Sequence, residues 1–327
     1  MGKIILPLFL LKEFGMNIKY HQLNVTNLEL EKEYLLQLQT ENFFIVGIEV
    51  SNPDLSLCCH LSIDPQHETA NNDMTCVEYV YNNADYLLTT CLIFENICFV
   101  TLKPDMDSVS SMAVLTMLLN GQFNLTGDLI YRLKAIAKSD RHGRANWKNR
   151  REDYFHFKDY NIYGIPIGLA TMTADYKCDI DIKVQNMMEY LLTGTFEELF
   201  KYTTLTLRNI KKSNKNANFE VIIPNKLVFI KSNYRGAFAI GYKMASTVIA
   251  KNSTFCFGMG PDKKVGKKFT IAQYENNKFI DLIGLKSELN ELEPGWGGSS
   301  VIIGSPQDTP SKLDDATIIE LTKKYLK

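Results

Sequence analysis

The chain has 327 residues, 45% hydrophobic and 22% charged, with a formal net charge of −1. That balance supports a globular core in two domains or one large one, and it excludes the global basic field that draws a protein to nucleic acid or membrane. Seven cysteines without a paired CxxC spacing predict free thiols in a reducing compartment, so the expected location is the cytoplasm.

The first fifteen residues, MGKIILPLFLLKEFG, hold a short apolar run broken by Pro7. It is too short to span a bilayer and lacks a small-residue cleavage site, so it reads as an added strand or an extension. Residues 41–50, ENFFIVGIEV, are aromatic and β-branched and predict a strand. Residues 55–63, LSLCCHLSI, predict a second, buried on both faces as parallel strands are, with Cys58, Cys59 and His60 as core residues. Pro65 stops it, leaving Asp64 and His67 on a loop at a strand's carboxyl end. Residues 72–82 have helical character and suit a crossover to the next strand.

Residues 97–119, ICFVTLKPDMDSVSSMAVLTMLL, organise the chain. They predict a buried strand, a turn holding Asp105 and Asp107, and a helix that opens at Ser108, with Ser108 as its cap, and ends at Asn120-Gly121. In an open α/β sheet the carboxyl ends of strands and the amino ends of helices meet to build a site. Two carboxylates at ~4 Å repel by roughly 1–4 kcal/mol. A cation relieves this, so Asp105 and Asp107 are expected to hold a divalent metal, on the same sheet edge as Asp64 and His67. The plainer alternative is a helix cap with a second acid that favours the helix dipole.

Residues 126–137 predict an amphipathic helix leading into KSDRHGR, which contains Asp140 and His142. The following RANWKNRRED reads either as a solvated loop or as an electropositive wall of Arg141, Arg144, Lys148, Arg150 and Arg151 facing an anionic substrate. Residues 181–192 and 195–208 suggest a helical pair split at Gly194, with Phe196, Leu199 and Phe200 buried. The polar run KKSNKNAN at 211–218 predicts a linker, dividing the chain into 1–210, a linker at 211–220, and 221–327. Beyond it come a strand over 221–230 interrupted by Pro224-Asn225, then a helix and a strand within 236–251. Strands at 255–258 and 268–274 follow, then the glycine-rich GWGGSSVIIGSP and a closing amphipathic helix over 311–326. Glycines let a backbone approach a ligand closely, and their N–H groups can form an anion-binding nest. No Walker A loop, GxSxG elbow or HExxH pair is present.

KPDMDSVSSMAV resembles the first motif of the DHH phosphoesterase superfamily, which includes manganese-dependent inorganic pyrophosphatases and RecJ-type nucleases. Asp105, Asp107, Ser108 and Ser111 fit that motif, while its histidine is Thr101 here. IDPQH, with Asp64 and His67, resembles a loosened Asp-His-His motif, as does Asp140-Arg141-His142. The glycine-rich segment resembles the substrate loop of the DHH-associated domain, with Ser299 where that loop carries histidine.

The resemblance implies an α/β protein with a parallel-sheet, DHH-like N-terminal domain and a smaller α/β C-terminal domain. It implies hydrolysis of a phosphate ester or anhydride in a cleft between the domains. Asp105, Asp107, Asp64 and His67 would be metal ligands, and Asp140 and His142 would serve in catalysis. Arg235, Gly297, Gly298, Ser299 and Ser300 would bind substrate. A hard-oxygen site with few imidazoles and no cysteine cluster fits Mn²⁺ or Mg²⁺ better than zinc. The expected partner is a small phosphorylated substrate or nucleotide, with nucleic acid not favoured and no membrane. The replacements at Thr101 and Ser299 keep a non-catalytic binder on a decayed scaffold as the alternative. A metal hydrolase acting on a non-phosphate bond is the third reading.

Overall fold

The structure is a computed structural model that describes residues 16–24, 27–65, 74–142, 165–233, 237–257, 264–274, 278–307 and 309–327. The chain divides into two compact units, residues 1–141 with 167–202 and residues 142–166 with 203–327. The expected N-terminal extension and the basic segment 144–153 lie outside the described residues.

In the first unit the elements are β1 (Asn17–Gln22), α1 (Leu28–Thr40), β2 (Phe43–Ile48), α2 (Pro53–Ser56), β3 (Leu61–Ile63), α3 (Cys76–Asn82), α4 (Ala84–Cys91) and β4 (Asn96–Thr101). There follow α5 (Met106–Leu119), α6 (Gly127–His142), α7 (Leu169–Thr173), α8 (Ile180–Thr193) and the start of α9 (Leu199–Asn216). The strands form a sheet in the order β1-β4-β2-β3, and every pairing is parallel. All six residues of β2 are buried, as a central strand covered on both faces requires. One face packs Ile45, Cys98 and Val100 against Leu35, Leu38 and Leu55.

Helix α5 covers the other face. Each of its fourteen residues is buried, the condition of a helix enclosed by protein all round. It packs against α3, α4, α7 and α8. Its internal hydroxyls are not stranded: Ser110, Ser111 and Thr116 donate to the carbonyls of Met106, Asp107 and Met112 at 2.6–2.8 Å. At its far end Thr116 Oγ1 lies 2.9 Å from the Tyr20 hydroxyl of β1.

Several expectations are corrected here. The run 55–63 is not one strand: Asn52 accepts from the Leu55 N–H at 3.1 Å with Pro53 in the first turn, which starts the short helix α2 and leaves only β3 extended. His60 is exposed rather than a core residue. Its Nδ1 accepts from the Ile45 N–H at 2.9 Å and its ring stacks on Phe44. Phe196 is buried, but Phe200 is 82% exposed. Helix α6 runs on through Asp140, Arg141 and His142. The polar run expected as a linker is helical as far as Asn216.

In the second unit β5 (Asn218–Ile223) and β6 (Asn225–Lys231) form a hairpin at the Pro224-Asn225 break, with Asn225 at φ 64°. Then come α10 (Ala237–Gly241), β7 (Ala245–Phe257), β8 (Lys264–Gln273), α11 (Leu282–Leu292), β9 (Gly297–Gly298), β10 (Ile302–Gly304) and α12 (Asp315–Lys324). The two strands expected at 247–250 and 255–258 are the single strand β7. The sheet order is β5-β6-β7-β8-β10-β9, mixed, with β6 and β7 parallel. Leu227, Phe229, Ile249, Phe269 and Ile271 face Leu285 and Leu289 of α11 and Ile318 of α12, while Val228, Ile230 and Val248 face Ala237 and Ile240 of α10. The architecture is therefore mixed α/β, with one parallel and one mixed sheet. Among the described residues, no helix is long and apolar enough to cross a membrane.

Candidate metal centre

The site is built at the carboxyl edge of the parallel sheet, where such folds place ligands. Glu49 follows β2 directly, Asp64 follows β3 directly, and β4 leads through Lys103 and Pro104 to Asp105 and Asp107. Parallel pairing sets Ile48 beside Ile63 and Gly47 beside Val100. The ends of three strands thereby deliver acids to one rim.

Asp105 caps α5. Its Oδ1 accepts from the N–H groups of Asp107 and Ser108 at 3.0 and 3.1 Å, and the Ser108 hydroxyl accepts from the Asp105 N–H at 3.0 Å. The helix thus opens at Met106 rather than at Ser108, and Ser108 is the reciprocal member of the capping box. Asp107 then falls inside the fold, fully buried. Its carboxylate reaches across to α3, accepting from the Cys76 N–H at 2.7 Å and the Val77 N–H at 3.0 Å. Thr75 and Glu78 satisfy the remaining donors of that helix end through their own capping box.

Glu49 is the acid that the sequence reading missed. It is half-buried and takes φ 54°, in the left-handed region, at a cost on the order of 1 kcal/mol for a residue with a Cβ. Its N–H donates to the Ile63 carbonyl at 3.0 Å, and the Cys76 thiol donates to that same oxygen at 3.2 Å. One ligand atom each from Glu49, Cys76 and Asp107 lie within 4.8 Å of one another.

Electrostatics mark the same place. Burial, then the charges of Asp105, Asp107, Asp140 and Asp64, holds the Glu49 carboxyl well above the usual carboxylate range. Burial and then Asp105 push Asp107 up to about 7, against the lowering effect of the α3 N–H groups. Burial, followed by Asp107, Glu49, Asp64 and Asp140, pushes the Cys76 thiol up as well. The charges of Asp64, Asp105, Asp107 and Asp140, four of the acids singled out from sequence, thus all act on Glu49. Asp64 is 5% exposed, at the end of β3.

Compared with family models, curated proteins and solved structures, the chain gave no match.

The other residues expected at a site stand differently. His67 and Arg235 lie outside the described residues, as does the side chain of His142, the last residue of α6. Gly297, Gly298, Ser299 and Ser300 form the β9–β10 hairpin of the second unit. Gly298 has φ 122°, and a Cβ there would collide with the Ile302 carbonyl oxygen. The hairpin itself therefore requires this glycine. The Ser299 N–H donates to Ile302 at 2.8 Å and the Val301 N–H to the Ser299 hydroxyl at 3.3 Å, so these donors are spent within the turn. Thr101, where the resembling motif has histidine, is wholly buried at the end of β4, and its hydroxyl has no hydrogen-bond partner among the described residues.

The missed residues left faint signals. Glu49 closes an otherwise apolar run, which hid it as the tail of a strand. Cys76 passed as an ordinary core cysteine in a crossover helix. The donor set, several carboxylates with one thiol, suits a divalent cation, and Asp107 keeps acceptor capacity beyond its bonds to Cys76, Val77 and Thr75.

Proposed function

We propose that the protein is a metal-dependent hydrolase on a DHH-like phosphoesterase scaffold, acting on a phosphate ester or anhydride. The observation that supports this is the delivery of Glu49, Asp64, Asp105 and Asp107 to one sheet edge by three strand ends, with ligand atoms of Glu49, Cys76 and Asp107 within 4.8 Å of one another. Buried acids that face one another are stable partners for a cation and poor partners for anything else. Glu49 and Asp107 would hold the metal, with Asp64 and Asp105 beside them. A bound divalent ion supplies a polarised phosphoryl oxygen and a hydroxide near neutral pH. The Asp107 carboxylate, fixed by two N–H groups of α3, gives the site a rigid wall. Asp140, whose charge acts on Glu49, would accept the proton of the attacking water.

The test is hydrolysis of a generic phosphodiester, of pyrophosphate and of a small nucleotide by purified protein with added Mn²⁺ or Zn²⁺. Turnover that Asp107→Ala abolishes supports the reading, and turnover indifferent to that change overturns it.

One observation favours a second reading, a non-catalytic binder on the same scaffold. Asp105 and Asp107 already serve as helix caps, to α5 and to α3. A melting temperature unmoved by any divalent metal would favour that role, since a cation held by the folded state must stabilise it.

A further inference from the structure

We infer that Cys76 is itself a ligand, so that the site selects a thiophilic divalent cation of the zinc, cobalt or ferrous class through Glu49, Cys76 and Asp107. This rests on the reading that the sheet edge holds a metal, and it changes which metal. The three ligand atoms lie within 4.8 Å of one another. Around a tetrahedral ion with bonds of about 2.0 Å to oxygen and about 2.3 Å to sulfur they would close to roughly 3.3–3.5 Å, a contraction within reach of small side-chain rotations.

The sulfur is held in place by its surroundings. Cys76 is the first residue of α3, its N–H is fixed on Asp107 Oδ2 at 2.7 Å, and its thiol points to the Ile63 carbonyl at the end of β3. On coordination the thiol releases its proton to solvent and gives up that hydrogen bond.

A second feature points to an occupant. Thr101 is wholly buried, yet its hydroxyl has no hydrogen-bond partner among the described residues. Alternation along β4 puts Thr101 on the face of Phe99, opposite the Cys98 and Val100 core, and so on the α5 side, whose first turn carries Asp107. A water completing the coordination sphere would satisfy that hydroxyl.

The contrast with the other cysteines is chemical. Cys98 and Cys59 pack among apolar side chains, whereas the Cys76 sulfur meets two carboxylates. Soft thiolate ligation raises affinity for zinc-like ions, and Mg²⁺ prefers all-oxygen octahedra.

The experiment uses the full chain, reduced and stripped with chelator, titrated anaerobically with Co²⁺. A near-ultraviolet thiolate-to-cobalt charge-transfer band is expected, lost in Cys76→Ser and kept in Cys59→Ser. Zn²⁺ affinity measured by calorimetry should fall by about 10–100-fold or more in Cys76→Ser, with Mn²⁺ affinity changed far less. X-ray absorption at the zinc edge of the wild-type protein should show one sulfur neighbour, which needs no variant to fold. Stoichiometric Co²⁺ binding without the band, or a zinc edge with oxygen neighbours alone, overturns Cys76 ligation and leaves the metal site standing. No binding of Co²⁺, Zn²⁺ or Mn²⁺ overturns both this inference and the hydrolase reading.

Discussion

Two buried carboxylate sites, one in each unit, solve opposite problems. In the second unit Glu293 is 8% exposed and surrounded by donors: Trp296 Nε1–H at 3.0 Å, the Ser311 hydroxyl at 2.8 Å and the Lys312 N–H at 2.5 Å. Every bond there serves the fold, pinning the segment before α12 to the end of α11. In the first unit Asp107 also accepts two N–H bonds, from Cys76 and Val77, but it shares its surroundings with Glu49 and the Cys76 thiol, and both carboxyls are pushed up. A buried acid ringed by N–H and O–H groups is structural. An acid that burial and other acids surround instead keeps its proton to higher pH. Burial alone does not distinguish them; the sign of the neighbours does.

The largest expected effect tests the acid-ringed site. Asp107→Ala should lower any metal-dependent hydrolysis by on the order of 100-fold or more, judged against the 10–100-fold typical of residues that only orient ligands, as read from kcat/KM. Next is the donor-ringed site. Glu293→Gln keeps the shape but loses acceptors for buried donors, and should destabilise the chain by about 1–3 kcal/mol in urea unfolding, leaving metal affinity unchanged.

Glu49→Gln should have the opposite sign. In metal-free protein at neutral pH it removes like-charge repulsion and should raise stability, by roughly 1 kcal/mol at a screened separation, while weakening metal binding. A destabilised Glu49→Gln would erase the distinction between the two sites.

The pH dependence follows the same logic. Folded Asp107 and Glu49 hold their protons to higher pH than in the unfolded chain. For Asp107 the folded state therefore binds more protons between about pH 4 and about pH 7, with Glu49 acting in the same direction, and this contribution to stability, complete below that window, is lost as pH rises through it. The melting temperature of chelator-treated protein should fall from about pH 5 to about pH 8, and saturating metal should reduce the fall. The smallest effect belongs to Asp315. Burial raises its carboxyl, but bonds from Lys251 at 2.6 Å and Lys231 at 3.0 Å outweigh this and lower it. Asp315→Asn, at a partly exposed pair, should cost under about 1 kcal/mol in the same unfolding assay.

The strand, acidic turn and helix at 97–119 were legible because their signals are local: an apolar run, two acids and a capping serine within a few residues. Even there the cap was misplaced by one turn-forming choice between Asp105 and Ser108, both good N-caps. Asp64 was legible because Pro65 marks where β3 must stop. Glu49 was not, because a positive φ at a glutamate leaves no mark in composition. Cys76 was not, because its meaning depends on Asp107 lying opposite, thirty-one residues away in the chain. His60 was misread because a helical turn, set off by Asn52 and Pro53, interrupts what looks like a continuous strand. Strand β1 and helix α1 drew no expectation, since an edge strand with alternating exposure carries little apolar signal.

The enclosure of α5 along its whole length has a kinetic consequence. Backbone amides in a helix with no solvent-facing side exchange hydrogen only when the surrounding unit opens, so those of residues 109–118 should be among the slowest in the chain. The first turn of that helix positions Asp105 and Asp107, and therefore the acids are set in the part of the unit that melts last.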